Sequence, residues 1–222
     1  MGDHPDNATP ASRLAESAPL ILEATELAWA WHGNQTRKGR STSYVSHLLE
    51  VTGLVIRAGG GPEAVIAALL HDGLEDAPDP EQRARREALI RERFGPAVLQ
   101  IVLDCTDTTA AEASSTKGPW RERKERYIAQ LAAAGPDSRL VAACDKRQNL
   151  GDLISDLRFE GLDTLDRFNA GATEQLWYFE SLLEVFRSAV PGVVAAELEA
   201  LVSEFRGWVN TPTVAARPGR AS

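Results

Sequence analysis

The chain has 222 residues, 43% of them apolar and 25% charged, with 24 Lys and Arg against 32 Asp and Glu for a net charge of -8. That is enough apolar material for the core of one ordinary domain, and the acidic balance argues against a general nucleic-acid binder. Two cysteines without CxxC spacing, Cys105 and Cys144, exclude a disulfide scaffold and a cysteine-built zinc finger, and they suit a cytoplasmic setting. No apolar run is long enough to span a membrane, and the first residues lack the basic start and apolar stretch of a secretory signal.

Residues 1–16, rich in Pro, Asp, Asn and Ser, read as a disordered lead, and 211–222 read as a disordered tail, leaving 17–210 as a single domain. Within that domain apolar residues recur at helical period. Leu20, Ile21, Ala24, Leu27, Ala28 and Trp31 make one stripe of an amphipathic helix, and Leu48, Val51, Leu54 and Val55 make another that the run Gly59-Gly60-Gly61 stops. Pro62 suits the first turn of a third helix, whose apolar stretch from Ala64 to Leu70 leads directly into His71. Further helices are predicted over about 80–94, 96–104, 120–134, 138–150, 173–189 and 191–209, with Gly95 and Gly135 as stops. The stretch 107–119 reads as a mobile loop, and no alternating run suggests a strand. The predicted fold is all-α, without internal repeats.

Four places hold the unusual chemistry: Arg37-Lys38 with Tyr44 to His47; His71-Asp72 with Glu75-Asp76; Arg121, Arg123, Lys124 and Arg126; and Asp145-Lys146 with Asn149. A histidine followed by an aspartate offers an ion one imidazole nitrogen and one carboxylate oxygen from a single helix end. With a second histidine and a distant aspartate, the donor set suits a divalent ion of intermediate hardness such as Mn²⁺, Fe²⁺ or Zn²⁺. The same dipeptide also serves as an ordinary buried hydrogen-bonded pair. Glu75 and Asp76 lie one helical turn beyond it and can converge with it to orient or deprotonate a water, or can simply form a solvated helix end. Arg37, Lys38 and Arg40 also fit a solvated turn. The basic residues at 121–126 interleave with Glu122 and Glu125 as a salt-bridged face would, Tyr178 between Trp177 and Phe179 fits a core, and Asn149 fits a helix cap.

Taken in order, HGNQTRKGRSTSYVSH, AALLHDGLEDAP, RFGPAV, RERKERY, ACDKRQNL and WYFE resemble the hydrolase domain of the RelA/SpoT-homologue family, over about residues 20–187. The resemblance implies an HD-domain helical bundle with a metal site between helices, in a stand-alone small alarmone hydrolase without room for the synthetase domain of bifunctional members. It implies metal ligation by His47, His71, Asp72 and Asp145, with Mn²⁺ as the usual ion. Glu75 and Asp76 match the family's catalytic acids. Arg37, Lys38, Lys124, Asn149 and Tyr178 match substrate-contacting positions, and His32 matches a histidine that is not a ligand. Leu48, Ala77, Cys144 and Gln148 depart from the residues usual at their positions; none removes a ligand or an acid.

The activity so implied is hydrolysis of the 3′-pyrophosphate of a guanosine or adenosine alarmone, with release of pyrophosphate. The expected partner is this small nucleotide, with neither nucleic acid nor membrane involved. The sequence leaves open the base, the number of phosphates, the physiological metal and the oligomeric state. Rival readings are an HD phosphohydrolase acting on nucleoside phosphates or the 2′-phosphate of NADPH, and a catalytically silent alarmone sensor. A helical interaction module with a fortuitous His-Asp pair has to explain six matching segments in order.

Overall fold

A computed structural model describes residues 9–107, 118–167 and 170–211. Among them the fold is all-α, as expected, with one isolated bridge between Thr36 and Ser43 in place of any strand. Nine helices follow in order: α1 Pro10–Glu16, α2 Ala18–His32, α3 Tyr44–Arg57, α4 Pro62–Leu70, α5 Pro80–Cys105, α6 Trp120–Ala133, α7 Pro136–Glu160, α8 Ala172–Phe186 and α9 Gly192–Asn210. A 3-10 turn over Gly161–Arg167 joins α7 to α8. None of the helices is long and apolar enough to cross a membrane.

The centre of the fold is α4. Every residue from Ala64 to Leu70 is buried, so this helix is apolar all round, as an interior helix must be. Helices α2, α3, α5 and α7 surround it. On α2 the inward positions are Ala24, Ala28 and His32, small or flat side chains four residues apart. The long α7 is the second axis, in contact with α3, α4 and α5 on one side and with α9 on the other.

Local sequence sets most of the boundaries. Gly59, at φ 85°, closes the turn after α3, and Pro62 opens α4. Asp79 caps α5 by accepting a hydrogen bond from the Gln82 amide at 2.7 Å. The predicted break at Gly95 is present: its φ of 88° interrupts α5, and Pro96 restarts the helix at a new angle.

Two expectations need revision. The lead is not structureless throughout, since Thr9 accepts from the Ser12 amide and Pro10 starts the short helix α1, which buries no residue. Helix α7 runs ten residues past the predicted end at 150. The expectation of a mobile loop falls mostly on 108–117, and that of a disordered tail on 212–222; both lie outside the described residues.

Candidate metal centre and its cleft

His47 lies in the first turn of α3, His71 ends α4 and Asp72 begins the turn after it, and Asp145 lies mid-way along α7. His47 Nε2 is 3.4 Å from Asp72 Oδ2 and 3.4 Å from Asp145 Oδ1. His71 Nε2 is 3.1 Å and 3.7 Å from the same two oxygens. Ligands held about 2.1 Å from one ion sit about 3.0–3.5 Å from one another, so these spacings are those of a shared coordination shell. The tightest group is His47, His71 and Asp72, whose ligand atoms lie within 4.8 Å of one another, and Asp145 joins it through the two imidazoles.

The far nitrogens of both rings are engaged. His71 Nδ1 donates to the Ala68 carbonyl at 2.8 Å, and His47 Nδ1 lies 2.6 Å from Gln148 Oε1. In its neutral form each ring therefore presents an Nε2 lone pair inward, and His71 Nε2 is buried with no hydrogen-bond partner. An unpartnered buried imidazole nitrogen facing two carboxylates is the observation that fits a cation.

A cleft of about 190 Å³ opens on this cluster, lined by Glu75, Asp76, Asp107, Lys124 and Lys146 among others. A second hollow of about 310 Å³ lies alongside, with Arg37, Lys38, Arg40, Asp152, Asp156 and Phe179 in its wall. Tyr44 and Asn149 belong to both walls, so the two form one continuous groove.

An HD domain matches residues 24–156, more than half of the chain. The guanosine-3′,5′-bis(diphosphate) 3′-pyrophosphohydrolase MESH1 of Mus musculus is 30% identical over 143 residues, 63% of this chain and 73% of the relative; the Homo sapiens protein matches equally. The chain belongs to the HD-domain hydrolases of the RelA/SpoT-homologue family. Its fold is similar to that of a solved metazoan orthologue of SpoT that hydrolyses ppGpp, with a TM-score of 0.66 at 22% identity, over 85% of this chain and 96% of that one. A Listeria monocytogenes structure gives a TM-score of 0.60 at 27% identity, over 72% of this chain and 99% of that one.

Electrostatics in this HD domain favour positive charge at the cluster. Burial pushes the His71 and His47 pKa values down, but the carboxylates of Asp72 and Asp145 outweigh it and raise both, His71 strongly. The same contacts, with Lys146 as the largest charge beside Asp145, hold both carboxyls well below the usual carboxylate range despite burial. Tyr44 Oη donates to Asp72 Oδ2 at 2.7 Å, and burial together with the nearby acids keeps the phenol protonated. Behind the His71-Asp72 turn, Gly73 sits against the Trp31 ring, where a Cβ would lie 2.6 Å from a ring carbon. Arg86 fixes that turn by donating to the Gly73 carbonyl at 2.6 Å while its guanidinium lies 4.8 Å over the same ring.

Most residues singled out in the sequence reach the groove. Arg37 and Lys38 line the larger hollow, Lys124, Glu75 and Asp76 the smaller, and Asn149 both. Lys124 pairs with Asp107 and lies 4.8 Å over the Tyr178 ring. Tyr178 itself is buried in the core beneath that lysine, and its neighbour Phe179 takes the place in the wall. His32 is a support, bonded to Gln35 Oε1 at 2.7 Å and stacked on Tyr44, with burial lowering its pKa. Sequence reading assigned no role to Tyr44, Asp107, Lys146, Gln148 or Asp152. For Gln148, Asn149 and Asp152 the signal was their spacing of three, four and seven from Asp145, which puts all four on one face of α7.

Proposed function

We propose that this protein removes the 3′-pyrophosphate from nucleotide alarmones of the (p)ppGpp or (p)ppApp type, releasing pyrophosphate. One observation carries the reading: a basic hollow of nucleoside size joins, through Tyr44 and Asn149, an acidic cleft built around His47, His71, Asp72 and Asp145. The named relatives that act on guanosine-3′,5′-bis(diphosphate) support it.

In this reading His47, His71, Asp72 and Asp145 hold a divalent ion, Mn²⁺ by family resemblance. Such an ion supplies Lewis acidity, making water acidic enough to ionise near neutral pH and offsetting negative charge at phosphorus. Glu75 and Asp76 orient the attacking water and take its proton. Lys124 and Lys146, which line the same cleft, offset charge on the phosphate oxygens, while Arg37, Lys38 and Asn149 bind the nucleoside side. Water oxygen bonds to the phosphorus on O3′, the P–O3′ bond breaks, the 3′-oxygen gains a proton, and pyrophosphate leaves. In this reading an acidic protein receives so anionic a ligand because the bound ion, together with these four cations, offsets the carboxylates of the groove.

The test is incubation of purified protein and Mn²⁺ with ppGpp, pppGpp, ppApp, pppApp, NADPH and ordinary nucleoside triphosphates, with chromatographic separation of products. Pyrophosphate with the matching 5′-nucleotide is the expected result. Phosphate from NADPH alone, or binding without any product, overturns the proposal in favour of one of its rivals.

A further inference from the structure

The side chain of Gln148 touches both halves of the groove. Its Oε1 lies 2.6 Å from His47 Nδ1 and 3.3 Å from an Arg37 guanidinium nitrogen, and its Nε2 lies 2.9 Å from Glu50 Oε2. The polarity of these contacts has one solution. A carboxylate only accepts, so the amide NH₂ must face Glu50; a guanidinium only donates, so the amide oxygen must face Arg37. The oxygen that faces Arg37 is the one beside His47, so His47 Nδ1 must carry a proton, and in the neutral ring the lone pair is then on Nε2. Gln148 is 3% exposed, whereas Glu50 lies at the surface, where it lines a shallow hollow with Arg57 and Arg147.

We infer that Gln148 is a positioning residue that couples the nucleoside-side Arg37 to the metal-side His47, and that Glu50 sets it from the surface. The inference rests on the metal reading given above. Arg37 is itself tied to α7 through Asn149 Oδ1 at 2.9 Å and Asp152 Oδ2 at 3.0 Å. A ligand that draws the guanidinium away therefore changes the load on the Gln148 oxygen, and with it the hydrogen bond that orients His47. The amide serves as a shared acceptor, so occupancy of the nucleoside hollow and affinity at the metal centre become linked quantities.

Calorimetric titration of Mn²⁺ into the chelator-treated full chain, without nucleotide, measures this without reference to turnover. Gln148→Leu, which keeps the bulk and removes the acceptor, should weaken Mn²⁺ binding by about 10–100-fold. Glu50→Ala, at an exposed position, should weaken it by a smaller factor through loss of the amide's fixed orientation. Arg37→Leu should change Mn²⁺ affinity by one factor in the unaltered background and by a different one in the Gln148→Leu background. Wild-type affinity in Gln148→Leu, or equal factors in the two backgrounds, overturns the inference alone. Absence of Mn²⁺ binding by the unaltered chain overturns the metal reading and this inference with it, whereas metal binding without alarmone hydrolysis overturns only the substrate assignment.

Discussion

At the scale of single residues, the proposed metal ligands and the proposed proton carriers occupy different places in the groove. Glu75 and Asp76 line the cleft without belonging to the cluster of His47, His71 and Asp72. Glu75→Gln and Asp76→Asn are therefore expected to lower kcat by about 10²–10⁴-fold while Mn²⁺ affinity holds, as read by pyrophosphate release beside calorimetry. A parallel loss of metal affinity would make them ligands. Tyr178→Phe separates the two readings of that residue: its hydroxyl is buried without a partner, and an unpaired buried polar group costs about 1–3 kcal/mol. The variant should keep its KM for the alarmone and melt at the same or a higher temperature. The sequence could not decide between Tyr178 and Phe179, because adjacent helical residues point about 100° apart and Trp177 to Phe179 are aromatic throughout. Lys146 was obscured for a related reason. Immediate neighbours on a helix do not face each other, yet this lysine folds back to reach Asp145 Oδ2 at 2.6 Å.

Among the helices, the stops and starts were legible and one extension was not. Glycine runs and N-terminal prolines act locally, so the ends of α3, the start of α4 and the break in α5 could be read from composition alone. Gly151 lies just past the predicted end of α7, and a mid-helix glycine costs about 1 kcal/mol. The fold overrides that cost by burying Leu150, Leu153, Ile154 and Leu157, each of which contributes about 1.5–3 kcal/mol when removed from water. Tertiary packing of this kind has no local signature. The turn between α4 and α5 makes a prediction of its own. Gly73→Ala would place a methyl group against a Trp31 ring clamped by Arg86, costing about 1–3 kcal/mol in urea denaturation and shifting the neighbouring His71 and Asp72. Unchanged stability would show that the indole yields freely.

For the molecule as a whole, the cluster ties stability to pH. The carboxyls of Asp72 and Asp145 are depressed, so their contribution is present above the ordinary value of 3.8 and is lost as pH falls through the folded pKa values. The imidazoles of His47 and His71 are raised, so theirs is complete below 6.5 and is lost as pH rises through the folded pKa values. In chelator-treated protein both contributions are whole between 3.8 and 6.5. Its melting temperature should therefore fall from pH 6 to pH 9, and His71→Ala should flatten that slope. With Mn²⁺ in excess the trend should reverse, because protons compete with the ion for the same lone pairs. A Tm that is flat with pH in both conditions would contradict the charge arrangement described for the cluster.

The hydrogen bond from His47 to Gln148 joins residues 101 positions apart, and Asp145 comes from the same distant helix. A nascent chain leaving the ribosome presents two imidazoles and one acid long before their counterparts on α7 exist. Biosynthesis thus completes this His-Asp cluster late, and any product of translation that stops short of α7 lacks both Asp145 and Gln148.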